Sequence, residues 1–139
     1  MSSQGSFFSG TSVKELSDSD FVMQGGVWGL KPNSILARNC TAILFYAPWC
    51  GYCQRVKQSW IEFGDNMRSQ NGILVRALNC EKYSKMISQV REDMPQLISG
   101  YPTMLIFKNG VPDRKIGTDE TKRSSNELSK SCVDICRGK

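Results

Sequence analysis

Residues 41–47, Thr-Ala-Ile-Leu-Phe-Tyr-Ala, form a continuous apolar run without polar alternation, and a helical pattern begins soon after it. A strand that is apolar on both faces needs a packed layer on each side, which draws the chain toward an α/β architecture. The uninterrupted apolar run, 42–50, is far short of the roughly 20 residues of a membrane-spanning helix, so no membrane span is expected. Helical spacing follows at once: Val56, Trp60, Phe63 and Met67 fall on one face of a helix over 52–68.

The rest of the chain repeats this alternation. A short first strand is predicted within 11–16. Ser17 is placed to cap a short helix over 18–23, with acidic residues in its first turn. Residues 24–39 carry Gly25, Gly26, Gly29 and Pro32 and read as irregular, with Trp28 as a packing anchor. A second buried strand is predicted over 73–78, a second amphipathic helix over 81–91 and a third strand over 103–108. Asn109-Gly110 signals a two-residue hairpin. The strand after it, 111–116, contains Pro112, which suits a sheet edge. Ser124 and Glu127 have capping-box spacing before a last helix that turns Leu128, Cys132 and Ile135 inward. Helical crossovers require largely parallel strands, and the hairpin adds an antiparallel pair. The chain has 139 residues, enough for one domain with its own core. Residues 1–10, rich in Ser and Gly, are expected to form a flexible N-terminal arm, with the domain over 11–139.

Composition narrows the chemistry. The net charge is +5, but basic and acidic residues are interleaved, as in Asp113-Arg114-Lys115, so no nucleic-acid partner is expected. The chain contains no histidine, which removes imidazole bases, His triads and His metal ligands. The chemistry must come from other side chains, and six cysteines stand out: Cys40, Cys50, Cys53, Cys80, Cys132 and Cys136.

Trp49-Cys50-Gly51-Tyr52-Cys53 lies where the buried strand ends and the helix begins. Cys50 would sit at the helix N-terminus, where unpaired N–H groups and the macrodipole favour a thiolate by up to about 2 kcal/mol. Cys53, one turn on and deeper, should keep its proton longer. An exposed nucleophile beside a protected resolving thiol is a two-electron dithiol switch. A metal site is not expected, because the pair supplies only two ligands, and no cofactor is needed.

The segment 41–63, through Phe-Tyr-Ala-Pro-Trp-Cys-Gly-Tyr-Cys, resembles the active-site region of the thioredoxin superfamily, above all that of protein disulfide isomerase domains. Gly100-Tyr101-Pro102-Thr103 resembles the family's cis-proline loop, and Phe107-Lys108-Asn109-Gly110 its hairpin. The likeness covers about 13–136. It implies a thioredoxin-like α/β fold, a mixed central sheet flanked by helices. It also implies catalytic Cys50 and Cys53, a surface shaped by Trp49, Gly51 and Tyr52, a cis bond at Tyr101-Pro102, and a substrate-binding loop of Tyr101, Pro102 and Thr103. The implied activity is thiol–disulfide exchange on protein or peptide thiols and disulfides, with a redox partner such as glutathione or a reductase. A cytosolic disulfide reductase, or a weakly redox-active peptide-binding or chaperone module, are the alternatives on the same fold.

Three departures from the family stand out. Tyr52 replaces the His of isomerases and the Pro of thioredoxins, so it brings no positive charge. Leu44 and Ala77 occupy the positions of the family's buried acid and its lysine partner. Losing that proton acceptor should lengthen the life of mixed disulfides awaiting Cys53. Gln58 replaces a helix-kinking proline.

Of the other cysteines, Cys132 and Cys136 are expected in the core, Cys40 is assigned no role, and Cys80 is expected to be structural at the edge of the substrate surface, with a regulatory thiol as the alternative. The first ten residues lack a secretory signal pattern, which suggests a cytoplasmic protein. The endoplasmic reticulum lumen is expected if a signal was removed, and a virion if the protein is viral.

Overall fold

The computed structural model describes residues 7–138. A five-stranded sheet runs in the order β1-β5-β4-β6-β7. Strands β1 (Lys14–Glu15), β5 (Ile73–Asn79) and β4 (Cys40–Tyr46) are parallel, β6 (Thr103–Lys108) runs antiparallel to β4, and β7 (Val111–Ile116) runs antiparallel to β6 and so in the direction of the first three. β4 is the central strand, and its residues from Thr41 to Tyr46 are all fully buried.

The two faces of β4 feed separate cores. Ala42, Leu44 and Tyr46 pack with α1 (Gly51–Met67) and α3 (Ser125–Cys136), through Val56, Trp60 and Phe63 and through Leu128, Cys132 and Ile135. Ile43 and Phe45 pack with Ile87 and Val90 of α2 (Ser84–Asp93) and with an aromatic group built by the N-terminal region. This is the two-layer cover that an all-apolar strand requires. Trp60, buried in the first core, satisfies its indole N–H on the Arg76 carbonyl at 3.1 Å. α1 runs uninterrupted through Gln58.

The region 17–30 differs from the sequence expectation. Ser17 does cap a helical turn with Asp20, but it is a 3-10 turn of only Asp18–Asp20. The chain then forms β2 (Phe21–Gln24), pairs it with β3 (Val27–Leu30), and so builds a hairpin inside the stretch read as helix and irregular loop. Gly25 and Gly26, at φ 58° and 80°, make the two-residue turn. Tertiary packing overrides the weak local helix: Phe21 stacks on Trp28 at 4.6 Å, and both rings lie about 6 Å from Phe45 and Phe107. Trp28 is the anchor expected of it. The hairpin leans on the Asn109-Gly110 turn, with Leu30 N–H donating to the Gly110 carbonyl at 2.8 Å. Any side chain at Gly29 would collide with that carbonyl.

Pro112 stands on the edge strand β7, next to an irregularity in its register with β6. Ser124 and Glu127 form the expected capping box of α3. Residues 1–6 of the expected arm lie outside the described residues. Residues 7–10 are not a free arm: Phe8 is buried against Tyr46, and its N–H donates to Glu15 Oε2 at 3.1 Å.

The cysteines contain the largest correction. Cys40 and Cys136 form a disulfide across a sequence separation of 96 residues, with Cα atoms 5.9 Å apart. Cys40, assigned no role, and Cys136, assigned to the core, clasp the start of β4 to the end of α3. The packing of α3 brings its last turn over that sheet edge. There Lys108 Nζ donates to the Ile135 carbonyl and Arg137 to the Asn71 carbonyl, while Cys40 N–H donates to Gly72. Cys132 stays a free, buried thiol, as expected, with Sγ 3.8 Å from Cys136 Sγ.

Candidate active site

β4 ends at Tyr46, and a tight turn closes with Cys50 N–H donating to the Ala47 carbonyl at 3.0 Å. Cys50 is the N-cap of α1, and its sulfur accepts from the Cys53 N–H at 3.4 Å. No acidic residue occupies the first turn of the helix, so its N-terminal N–H groups and dipole act on the sulfur alone. Cys50 is 8% exposed, whereas Cys53 is wholly buried. Burial pushes the Cys53 thiol up to about 12, with the neighbouring Cys50 sulfur adding to the effect and a backbone contact at Ala47 opposing it.

The loop before β6 faces this pair. Tyr101-Pro102 is cis, as the resemblance implied. The Cys50 thiol donates toward the Tyr101 carbonyl at 3.7 Å, which joins residues 51 positions apart in sequence. Thr103 turns its hydroxyl back to the Gly100 carbonyl at 2.6 Å, so its side chain braces the loop. Trp49 is 65% exposed and meets the Tyr101 ring edge to face at 6.3 Å. Tyr52 is also exposed, with the Arg55 guanidinium 4.4 Å over its ring. All the residues singled out in the sequence, Trp49, Cys50, Gly51, Tyr52, Cys53, Tyr101, Pro102 and Thr103, lie at one end of the sheet, past the end of β4 and at the start of β6. A groove of about 450 Å³ starts here, between Tyr52, Tyr101 and Pro102 on one side and Asp119, Glu120 and Arg123 on the other.

Several neighbours were not visible from sequence. Arg55 could have been found, because it lies three residues beyond Tyr52 on one helix face. The loop at 118–123 and Arg91, which lies against Tyr101, reach the site only through the fold. On the buried side, the Tyr46 hydroxyl donates to Glu15, so a carboxylate does lie under the strand although position 44 is leucine. Leu44 and Ala77 are register partners, both fully buried, on the face that packs against α1. Cys80 is buried beside the site, its thiol pushed up to about 12 by burial, while Tyr101 and the charge of Arg91 oppose that shift.

This arrangement can carry dithiol–disulfide exchange: one sulfur caps a helix N-terminus and keeps a small opening to solvent, and a second is held protonated behind it. Among the described residues, no group of three or more His, Cys, Asp or Glu is placed to hold a metal ion, and no helix is long and apolar enough to cross a membrane.

Known proteins place the chain. It is 29% identical over 106 residues to protein disulfide-isomerase 5-2 of Arabidopsis thaliana, covering 73% of this chain and 23% of that protein. It is 33% identical over 94 residues to a thioredoxin domain-containing protein 5 homolog of Drosophila melanogaster, covering 67% and 21%. The chain thus spans about a fifth of the length of these relatives. Among solved structures, human ERp44 superposes with a TM-score of 0.66 at 22% identity, over 87% of this chain and 32% of that one. The Trx4 domain of ERdj5 superposes with a TM-score of 0.64 at 12% identity, over 93% and 99%. These likenesses establish the fold. The thioredoxin family profile matches residues 33–132, and the chain belongs to the thioredoxin family, with relatives of the protein disulfide isomerase kind.

Proposed function

We propose that this chain is a thiol–disulfide oxidoreductase acting on protein or peptide disulfides, with Cys50 as nucleophile and Cys53 as resolving thiol. The observation that carries this reading is the asymmetry of the pair: Cys50 caps α1 and keeps an 8% opening to solvent, whereas Cys53 is sealed behind it. The Cys50 thiolate attacks one sulfur of a substrate disulfide. That S–S bond breaks, and the departing substrate thiolate takes up a proton. Cys53 then loses its proton and attacks Cys50 Sγ, which releases the second substrate thiol. The substrate gains two electrons and the protein becomes the disulfide; the reverse sequence oxidises a dithiol. Tyr101, Pro102 and Thr103 bind the peptide beside Cys50, while Trp49, Gly51 and Tyr52 shape the approach.

The Cys40–Cys136 disulfide favours an oxidising compartment over a reducing cytoplasm. With Tyr52 and the apolar Leu44 beneath the site, this supports disulfide formation or reshuffling over reduction. A glutathione pool or a dedicated reductase would reset the pair.

The test is trapping followed by potentiometry. Cys53→Ser is expected to accumulate mixed disulfides that disappear when Cys50 is also replaced; no adducts would refute an exchange activity and leave a binding module. Equilibration of the wild-type protein in glutathione buffers should give a potential of about −200 mV or higher, whereas a value near −270 mV would indicate a reductase.

A further inference from the structure

We infer that Arg91 is a positioning residue for peptide capture, holding Tyr101 in place beside Cys50. This inference rests on the reading that the Tyr101-Pro102-Thr103 loop binds substrate, and it identifies what fixes that loop.

Arg91 lies near the end of α2, and residues 94–102 lead from that helix back to β6. Its side chain makes two contacts with this return. Nε–H donates to the Ile98 carbonyl at 3.0 Å, and the guanidinium carbon lies 5.1 Å from the centre of the Tyr101 ring. Ile98 is fully buried in the second core, so it anchors one end of the segment while the cation holds the other. Arg91 therefore fixes both the backbone leading to Tyr101 and the ring of Tyr101.

Tyr101 passes this constraint to the reactive sulfur. Its carbonyl faces the Cys50 thiol at 3.7 Å, and its ring packs edge to face with Trp49. The ring thus has the Trp49 indole on one side and the Arg91 cation on another. Burial raises the Tyr101 hydroxyl, and the charge of Arg91 works against that shift, as expected of a cation in the same environment.

The charge of Arg91 is not neutralised by a carboxylate. Glu92 and Asp93 are its next neighbours in sequence, yet the one ion pair among the described residues is Lys130 with Asp134. The guanidinium instead faces a carbonyl and a ring. Its planar fork can serve both at once. A lysine ammonium keeps the attraction to the ring but has no Nε–H held at that angle.

Loosening Tyr101 should harm substrates that lie along the loop and spare those that need only the Cys50 sulfur. The experiment compares Arg91→Ala and Arg91→Lys with wild type on two substrates. One is a disulfide-linked peptide of about ten residues; the other is the small disulfide 5,5′-dithiobis(2-nitrobenzoate). Arg91→Ala is expected to raise the peptide KM about tenfold, the usual scale for losing a charged hydrogen bond. The kcat and the small-disulfide rate should stay within about twofold, and Arg91→Lys should lie between. An unchanged peptide KM, or an equal fall on both substrates, overturns the inference. If Arg91→Ala does not fold, the KM of Arg91→Lys decides in the same way.

A parallel measurement separates this inference from the oxidoreductase reading. In a Cys50→Ser/Cys53→Ser background, affinity for the reduced peptide is read from intrinsic tryptophan fluorescence, to which the exposed Trp49 contributes, with and without Arg91→Ala. If the wild-type protein turns over neither disulfide but affinity still falls on loss of Arg91, the oxidoreductase reading fails and the positioning role stands. Equal affinities with and without Arg91 overturn it whatever the turnover.

Discussion

At its start, β4 is tied through Cys40 to Cys136 at the end of α3; past its other end, it leads into Cys50 and Cys53, whose thiols are free. Each end carries a cysteine pair, and what separates them is distance along the chain. Cys50 and Cys53 share one turn at a helix N-terminus, where local backbone groups act on the sulfur and the pair can open and close with little rearrangement. Cys40 and Cys136 lie 96 residues apart, so their bond closes a loop that takes in everything from β4 to α3. Such a bond restrains the unfolded chain. A short loop with a field at its mouth suits chemistry, and a long loop suits stability. Each end also has a buried neighbour held as a neutral thiol by desolvation: Cys80 beside the site, and Cys132 beside the clasp.

The sharpest way to break this comparison is to remove one cysteine from each end. Cys50→Ser is expected to lower disulfide exchange by on the order of a thousandfold or more, as loss of a nucleophile does, with the unfolding midpoint nearly unchanged. Cys40→Ser should do the reverse, costing about 4 to 5 kcal/mol of stability, the scale for a loop of this length, while exchange stays within about twofold. Kinetics and denaturant unfolding of both variants decide it. If Cys40→Ser lost exchange in proportion to stability, the two ends would not be separable.

A second effect, smaller for each thiol, follows from pH. Cys53, Cys80 and Cys132 are each pushed up to about 12 in the folded protein, mainly by burial. An unfolded cysteine titrates near 8.5. Between these values the unfolded chain has released protons that the native state retains, so stability is intact below about pH 8 and falls as pH rises. The slope is up to about 1.4 kcal/mol per pH unit for each thiol. Denaturant midpoints from pH 7 to 10 would show it. Cys132→Ala, at the clasp end, should flatten the slope by about one thiol without altering exchange.

The smallest effect concerns the strand between the two ends. Leu44 is buried on the face that α1 and Cys53 share. Leu44→Glu should give the resolving thiol a nearby proton acceptor and shorten the lifetime of mixed disulfides several-fold, short of the roughly hundredfold or more of a fully positioned general base. Quenched-flow alkylation would measure that lifetime, and no change would remove Leu44 from the account of resolution. The clasp should stay closed in this variant.

Much of this was legible in the chain. The unbroken apolar run marked β4 as a strand buried on both faces, because only a covering layer on each side suits such a strand. Trp49 to Cys53 could be placed at the start of α1 because the cap, the helix and the cysteine spacing all lie within a few residues. Asn109-Gly110 and Ser124 with Glu127 were readable for the same reason: turn and cap chemistry is local. The hairpin at 21–30 was missed although Gly25-Gly26 is a signal of the same type, because Ser17 and its acidic followers make a competing helix start. The stacking of Phe21 on Trp28, set against Phe45 and Phe107, decides that contest, and those partners lie far apart in sequence.

The sequence by itself therefore determined what depends on neighbours: most of the alternation of elements, the capped helices, and a cysteine pair at a helix start. Tertiary structure alone decided which distant groups meet. It closed Cys40 on Cys136 and brought the Tyr101 carbonyl to the Cys50 sulfur. It also set Arg91 over Tyr101 and placed Glu15 against Tyr46. Local chemistry acts over a few bonds and can be read along the chain. A contact across tens of residues exists only once packing of the two cores has fixed where each element lies.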